Sequence, residues 1–208
     1  GAGQPAPRTP QIAAGDLRLQ AFAITEATSG SDTTNLKTRA VRDGATYVIN
    51  GQKVWTSRAL HSDLMLVLAR TASVQETGRK TEGLSVFLLE IGKCLGRGMT
   101  IRPLEAIIKH NTTEVFFQDL VVPSDALIGE EGQGFRYILD GLNAERILVA
   151  SEAVGDGRWF LKQACRYANE RVVFGRPIGQ NQGIQFPLAR AYAGLEAADV
   201  MARQAAAL

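Results

Sequence analysis

Thr46-Tyr-Val-Ile-Asn-Gly-Gln-Lys-Val-Trp-Thr-Ser57 is the stretch from which the fold of this chain is read. Two β-prone runs, Thr46–Ile49 and Gln52–Trp55, flank Asn50-Gly51. That dipeptide supplies the positive φ angles of a type I′ turn, so the spacing predicts a tight hairpin. Working outward, the apolar runs 64–69 and 84–89 read as buried strands, and Thr113–Phe117 and Leu120–Val122 as two more, ended by Pro123. Many short strands between Gly-rich turns predict a β sandwich or barrel over residues 15–130.

Near Gly132 the period changes. Phe135, Ile138, Leu139, Leu142 and then Leu148 or Val149 recur at helical spacing, continued less cleanly through Trp159, Phe160 and Ala164 to about Ala168. Gly141 and Gly155-Asp-Gly157 argue for an interruption. A polar loop, Phe174 to Asn181, precedes a second, Ala-rich helix from about Gly183. The predicted fold class is α+β: a sandwich- or barrel-like domain at 15–130, then the first helices of an incomplete helical bundle at 131–208. Residues 1–14 start without Met and read as an extended linker. The last helix runs to the final residues with its apolar face unmatched, so a piece of a longer protein is expected.

Composition excludes several classes. The chain has 208 residues, 45% hydrophobic and 21% charged, the balance of an ordinary globular protein. A net charge of +2, with no run of five like charges, argues against nucleic acid and anionic membranes as partners. The apolar runs are too short for a transmembrane segment. Cys94 and Cys165 form no CxxC pair and read as reduced thiols of an intracellular protein. His61 and His110, the two histidines, read as structural or surface residues, and no metal site is expected.

Four stretches carry groups suited to chemistry. Phe22-Ala-Ile-Thr-Glu-Ala-Thr-Ser-Gly-Ser-Asp32 clusters the hydroxyls of Thr25, Thr28, Ser29 and Ser31 in a Gly-containing loop after a short apolar strand. Such a loop either faces a polar ligand or is a surface loop with Asx-turn chemistry. Trp55 and Ser57 are two apart and so share a strand face, though Trp55 alone reads as a core residue. Arg171, just past a helix, suits a phosphate and helix carbonyls equally well. Glu145-Arg146, taken alone, is an ordinary solvated helix pair.

Taken together, Thr25-Glu26 with Gly30-Ser31-Asp32, Asn50-Gly51 with Trp55-Thr-Ser57, and Arg171-x-x-Phe174-Gly175 with Gln182 resemble the acyl-CoA dehydrogenase family. The resemblance runs from about Ile12 to the end of the chain, with Ala27 where the family usually has Pro and Ser29 where it usually has a smaller residue. It implies an FAD-dependent enzyme that desaturates an acyl-CoA thioester to the trans-2-enoyl-CoA. Carried over by position, Phe22, Ile24, Thr25, Trp55 and Ser57 would line the flavin, and Ser31 would sit nearer the acyl-CoA. Arg171, Phe174 and Gln182 would reach the FAD of a neighbouring subunit, which implies a homo-oligomer, a dimer or tetramer. Glu145 matches the catalytic base of isovaleryl- and long-chain-type members; other members place the base further along the C-terminal helices. Asn143 and Arg146 would be substrate-side residues. Lys37 and Lys53 read as solvated surface lysines, with attraction of CoA phosphates as the alternative. The resemblance further implies an electron-transfer flavoprotein as acceptor, a role in fatty acid metabolism, and a bacterial cytoplasmic or mitochondrial matrix location. A non-catalytic scaffold of the same fold and an oxygen-using flavoprotein are the other readings.

Overall fold

The computed structural model describes residues 8–107 and 111–208, so His110 lies outside the described residues. They divide into two compact units, one up to Ile138 and one from Leu139. In the first unit a short helix α1 (Thr9–Ala14) leads into strands β1 (Leu19–Ala23), β2 (Arg39–Asp43), β3 (Thr46–Ser57) and β4 (Leu64–Arg70). After a helical turn α2 (Val74–Thr77) come β5 (Leu84–Glu90), a turn α3 (Ile91–Cys94), β6 (Met99–Pro103), β7 (Thr112–Pro123) and β8 (Leu127–Ile128). The strands form one mixed sheet in the order β6-β7-β3-β2-β4-β5-β8, with β1 added parallel to β4. Alternating residues of these strands, among them Tyr47, Ile49, Met65, Val67, Phe87, Leu89 and Val115, meet in one core. Each such side chain contributes roughly 1.5–3 kcal/mol by leaving water. The rings of Tyr47 and Phe87 meet edge to face, 5.0 Å apart.

The hairpin is real, but it is not at Asn50-Gly51. Strands β2 and β3 turn at Gly44-Ala45, where Asp43 pairs with Thr46 and Gly44 takes φ 57°. Asn50 and Gly51 stay inside the continuous strand β3. Gly51 is required there for a different reason: it sits at φ 150°, and a Cβ would lie 2.6 Å from the Cα of Thr38. Asn50 serves the partner strand. Its amide nitrogen donates to Asp119 Oδ1 (3.1 Å) and its oxygen accepts from the Asp119 N–H (2.8 Å). The two runs expected at 113–117 and 120–122 are therefore one strand, β7, interrupted by a bulge. Ile49 faces Leu120 and Gly51 faces Phe117, so two residues of β7 oppose Asn50.

The expected extended linker is corrected over its described part. Residues 9–14 form α1, with Pro10 in its first turn and Gly15 closing it at φ 83°. Arg8 ties this segment to the sheet by donating to Glu90 Oε1 at 2.6 Å.

The helix α4 (Gly134–Glu170) begins within the first unit. The approach to it is anchored by two hydrogen bonds: Tyr47 Oη donates to Glu131 Oε2 (2.7 Å), and the Gly132 N–H donates to Ser85 Oγ (2.8 Å). Burial, together with the Glu131 carboxylate, pushes the Tyr47 hydroxyl up to about 12. Contrary to the expected interruption, α4 runs unbroken through Gly141, Gly155 and Gly157. In the second unit it packs on α5 (Gln182–Ala206), and Gly157 is where Leu195 presses in, its Cδ1 3.3 Å from where a Cβ would stand. Arg158 donates across the same interface to Glu196 Oε1 (2.9 Å) and Asp199 Oδ2 (3.0 Å). Two short strands, β9 (Val172–Val173) and β10 (Arg176–Pro177), form a hairpin in the connection.

Replacing Gly51 by Ala forces strand β3 away from Thr38. The Gly51→Ala variant of the intact protein is expected to lose about 2–3 kcal/mol of stability, measured by urea denaturation. An unchanged midpoint would show that the β3–Thr38 approach is not needed.

Candidate functional site

The site grows from a pair of charges that the sequence does not advertise. Alternation along β3 turns Tyr47, Ile49 and Lys53 inward, and Lys53 is fully buried, not a surface lysine as expected. Its partner is Glu26, also buried, at 2.9 Å between Nζ and Oε1. Lys53 Nζ also donates to the Ile24 carbonyl (2.9 Å), and Glu26 accepts from the backbone N–H groups of Lys37 (2.6 Å) and Thr38 (2.9 Å). Burial pulls the Lys53 ammonium down to about 8, partly offset by the Glu26 charge. Burial pushes the Glu26 carboxyl up, but the Lys53 charge and the hydrogen bonds from Thr38 and Lys37 outweigh it and hold the carboxyl below its ordinary value.

This pair organises the loop that follows β1. Glu26 and Ser29 exchange backbone hydrogen bonds (3.0 and 3.1 Å), and the buried Ser29 hydroxyl donates to the Asp32 carbonyl at 2.5 Å. The unexpected serine therefore closes the loop. Asp32 accepts from Thr34 Oγ1 and Asn35 Nδ2, both at 2.5 Å. The far side is held by Arg70, whose guanidinium donates to the carbonyls of Thr34 (2.8 Å), Lys80 (3.2 Å), Ala72 (3.3 Å) and Glu82 (3.3 Å). Phe22, Ile24 and Thr25 are left half-buried and Ser31 exposed.

A single bond joins this loop to the second predicted stretch: the Val54 N–H donates to the Thr25 carbonyl at 2.9 Å. Beyond Val54, β3 bulges against β7, because Lys53 faces Val115 while Thr56 faces Thr113. The bulge puts Trp55 at φ 60°, a conformation that costs a bulky residue about 1–3 kcal/mol. It turns Thr56 inward and leaves Trp55 (59% exposed) and Ser57 facing out. So Thr25 and Trp55 are neighbours through one backbone bond, and Trp55 is not the core residue that it resembles in isolation. Half-buried apolar groups, a hydroxyl and an outward indole beside free loop edges fit a flat aromatic ligand with polar edges such as an isoalloxazine.

In the second unit the remaining predicted residues lie on α4, in the α4–α5 connection and at the first position of α5. Asn143, Glu145 and Arg146 are exposed on α4, and Arg146 Nη1 donates to Asn143 Oδ1 at 2.6 Å. Arg171, Phe174 and Gln182 are exposed as well. The Arg171 carbonyl accepts from the Ile178 N–H (2.9 Å), which folds the connection back on itself. Phe174 and Gly175 form the turn between β9 and β10, at φ 50° and 76°, and Phe174 is 100% exposed. Both positive φ values match a type I′ turn, in which a phenylalanine is as unusual as its exposure. The Glu26–Lys53 pair was missed because 27 positions separate its members; the inward parity of Lys53 with Tyr47 and Ile49 was the available signal.

Losing Glu26 strands a buried ammonium. In the intact protein, Glu26→Gln is expected to cost about 3–5 kcal/mol, and Glu26→Gln combined with Lys53→Met less than that. The pair's stabilisation is present above the ordinary carboxylate range and lost as pH falls through the lowered Glu26 value. For Lys53 the slope has the same sign in a higher window: from about pH 8 upward the unfolded chain holds a proton that the folded chain sheds, so stability should rise again between pH 8 and 10. Urea midpoints across pH check both; an alkaline rise that survives Lys53→Met would contradict the assignment.

The regions on which these features lie coincide with two known domains. Residues 21–120 match the acyl-CoA dehydrogenase middle domain, and residues 132–208 its C-terminal domain. An acyl-CoA dehydrogenase of Bacillus subtilis is 39% identical over 202 residues, covering 96% of this chain and 51% of the relative. The mitochondrial long-chain specific acyl-CoA dehydrogenase of Sus scrofa is 34% identical over 181 residues, covering 86% of this chain and 41% of the relative. Among solved structures, glutaryl-coenzyme A dehydrogenase in its glutaryl-CoA complex superposes with a TM-score of 0.84 at 32% identity, over 95% of this chain and 49% of that one. The chain thus spans about half the length of the curated relatives it matches. Its mixed sheet with the following helices belongs to the acyl-CoA dehydrogenase family of oxidoreductases.

Proposed function

We propose that this chain forms the flavin-facing part of an FAD-dependent acyl-CoA dehydrogenase that converts an acyl-CoA to the trans-2-enoyl-CoA. The observation that carries the proposal is the Val54–Thr25 bond, which seats a hydroxyl-bearing loop beside an outward-facing indole on a left-handed backbone. In this reading Trp55 packs on the isoalloxazine, while Thr25 and Ser57 offer hydroxyls to its polar edges and Phe22 and Ile24 supply apolar lining. Ser31 lies on the acyl-CoA side. Bound FAD supplies the acceptor for the hydride that leaves Cβ.

The proton is the protein's task. Glu145 takes the α proton of the thioester, and Asn143 and Arg146, already hydrogen-bonded to each other, hold the CoA moiety. Arg171, Phe174 and Gln182 are presented outward, as residues that complete the FAD site of a second copy in a homodimer or tetramer must be. An electron-transfer flavoprotein would reoxidise the enzyme. Among the described residues no helix is long and apolar enough to cross a membrane, and bacterial and mitochondrial relatives support the bacterial cytoplasm or the mitochondrial matrix as its site.

The test is spectroscopic. The intact protein should carry flavin absorbance that bleaches anaerobically when an acyl-CoA is added without an acceptor. Glu145→Gln should keep the absorbance but slow the bleaching by at least ~10²-fold. Undiminished bleaching would place the base elsewhere, and a protein that takes up no FAD would favour a scaffold.

A further inference from the structure

The Glu26–Lys53 pair lies directly beneath the segments read as the flavin-facing edge, yet neither charge is exposed to a ligand. Stability alone is a poor reason for it, because replacing a buried ion pair by apolar residues of similar volume is often neutral or stabilising. What apolar residues cannot do is bind backbone. Residues 24–38 are mostly irregular, so their polar groups lack strand partners. The pair satisfies three of them at fixed points: the Ile24 carbonyl and the Lys37 and Thr38 N–H groups.

Each point bears on a predicted site residue. Ile24 and Glu26 flank Thr25, so Lys53 clamps the chain on both sides of that residue. Lys53 also precedes Val54, whose N–H holds the Thr25 carbonyl, and Val54 precedes the left-handed Trp55. On the other side of the bulge, the Thr56 carbonyl accepts from Thr113 Oγ1 at 2.8 Å. Trp55 is therefore held in a costly conformation by bonds on both flanks, and Lys53 secures the first of them.

We propose that Glu26 and Lys53 are positioning residues that set Thr25 and Trp55 in register with each other for a flavin ring. The proposal rests on the reading of this surface as a flavin site. It makes two separable demands: the pair must order both segments in the apoprotein, and that order must determine how FAD is held.

Both can be measured on the full-length protein with three variants. Lys53→Met breaks the pair, Glu26→Gln combined with Lys53→Met removes both charges, and Tyr47→Phe removes the remote bond to Glu131 as a control for general loss of stability. Hydrogen exchange by mass spectrometry should show faster exchange in peptides covering 22–38 and 50–57 together in Lys53→Met and in the double variant, with β4 and β5 unchanged. FAD titration should show at least tenfold weaker binding and displaced flavin absorption bands in both. Tyr47→Phe should alter neither. The double variant carries no unpaired buried charge, so it keeps the test decisive if Lys53→Met fails to fold. Flavin affinity and bands equal to wild type in the double variant would overturn the proposal. Wild-type protein that binds no FAD would instead overturn the functional reading beneath it.

Discussion

A single buried ammonium–carboxylate contact ties the loop after β1 to strand β3. Removing two charges from water is expensive, and only good geometry and full hydrogen bonding make it tolerable. Lys53 and Glu26 meet at 2.9 Å and turn further hydrogen-bonding capacity to the backbone at Ile24, Lys37 and Thr38. The consequence is that a loop and a strand that are distant in sequence share one anchor. The approach of Gly51 to Thr38 reinforces it, because Thr38 is pinned by Glu26 on one side and packed against β3 on the other.

How much of this could be read from the residues depended on which physical rule decided each position. The core strands were legible because burial of alternate or continuous apolar residues is a strong, local signal, as at 64–69 and 84–89. Asn50-Gly51 misled because turn propensity is also local, while the constraint that decided its conformation, contact with Thr38, is not. The same holds for the glycines of α4: helix propensity argued for a break at Gly157, and packing by Leu195 overrode it. The placement of Trp55 was legible only through the resemblance, since a bulge that reverses strand parity has no signature in composition. Residue type alone puts Lys53 at the surface, whereas its strand parity with Tyr47 and Ile49 turns it inward.

The second unit follows another economy. Helices α4 and α5 contact each other through Gly157 and Leu195 and through Arg158 with its two carboxylates. Yet Leu148, Val149, Trp159, Phe160, Tyr192 and Met201 remain more than half exposed. Two helices cannot bury apolar stripes of that breadth against each other. This agrees with a chain that spans about half the length of its relatives.

Trp55 and Phe174 share an uncommon pairing of traits: an aromatic side chain turned to solvent on a left-handed backbone. Neither trait helps the chain fold. Any programme that ranks positions by folded-state energy, whether consensus design or selection for thermal tolerance, would exchange these two early, most readily for Gly or Asn. The variants so obtained would be sturdier proteins with a blunted surface. Tolerance of substitution at positions 55 and 174 in a stability screen, set against intolerance in a screen for turnover, would thus mark where this fold trades robustness for work.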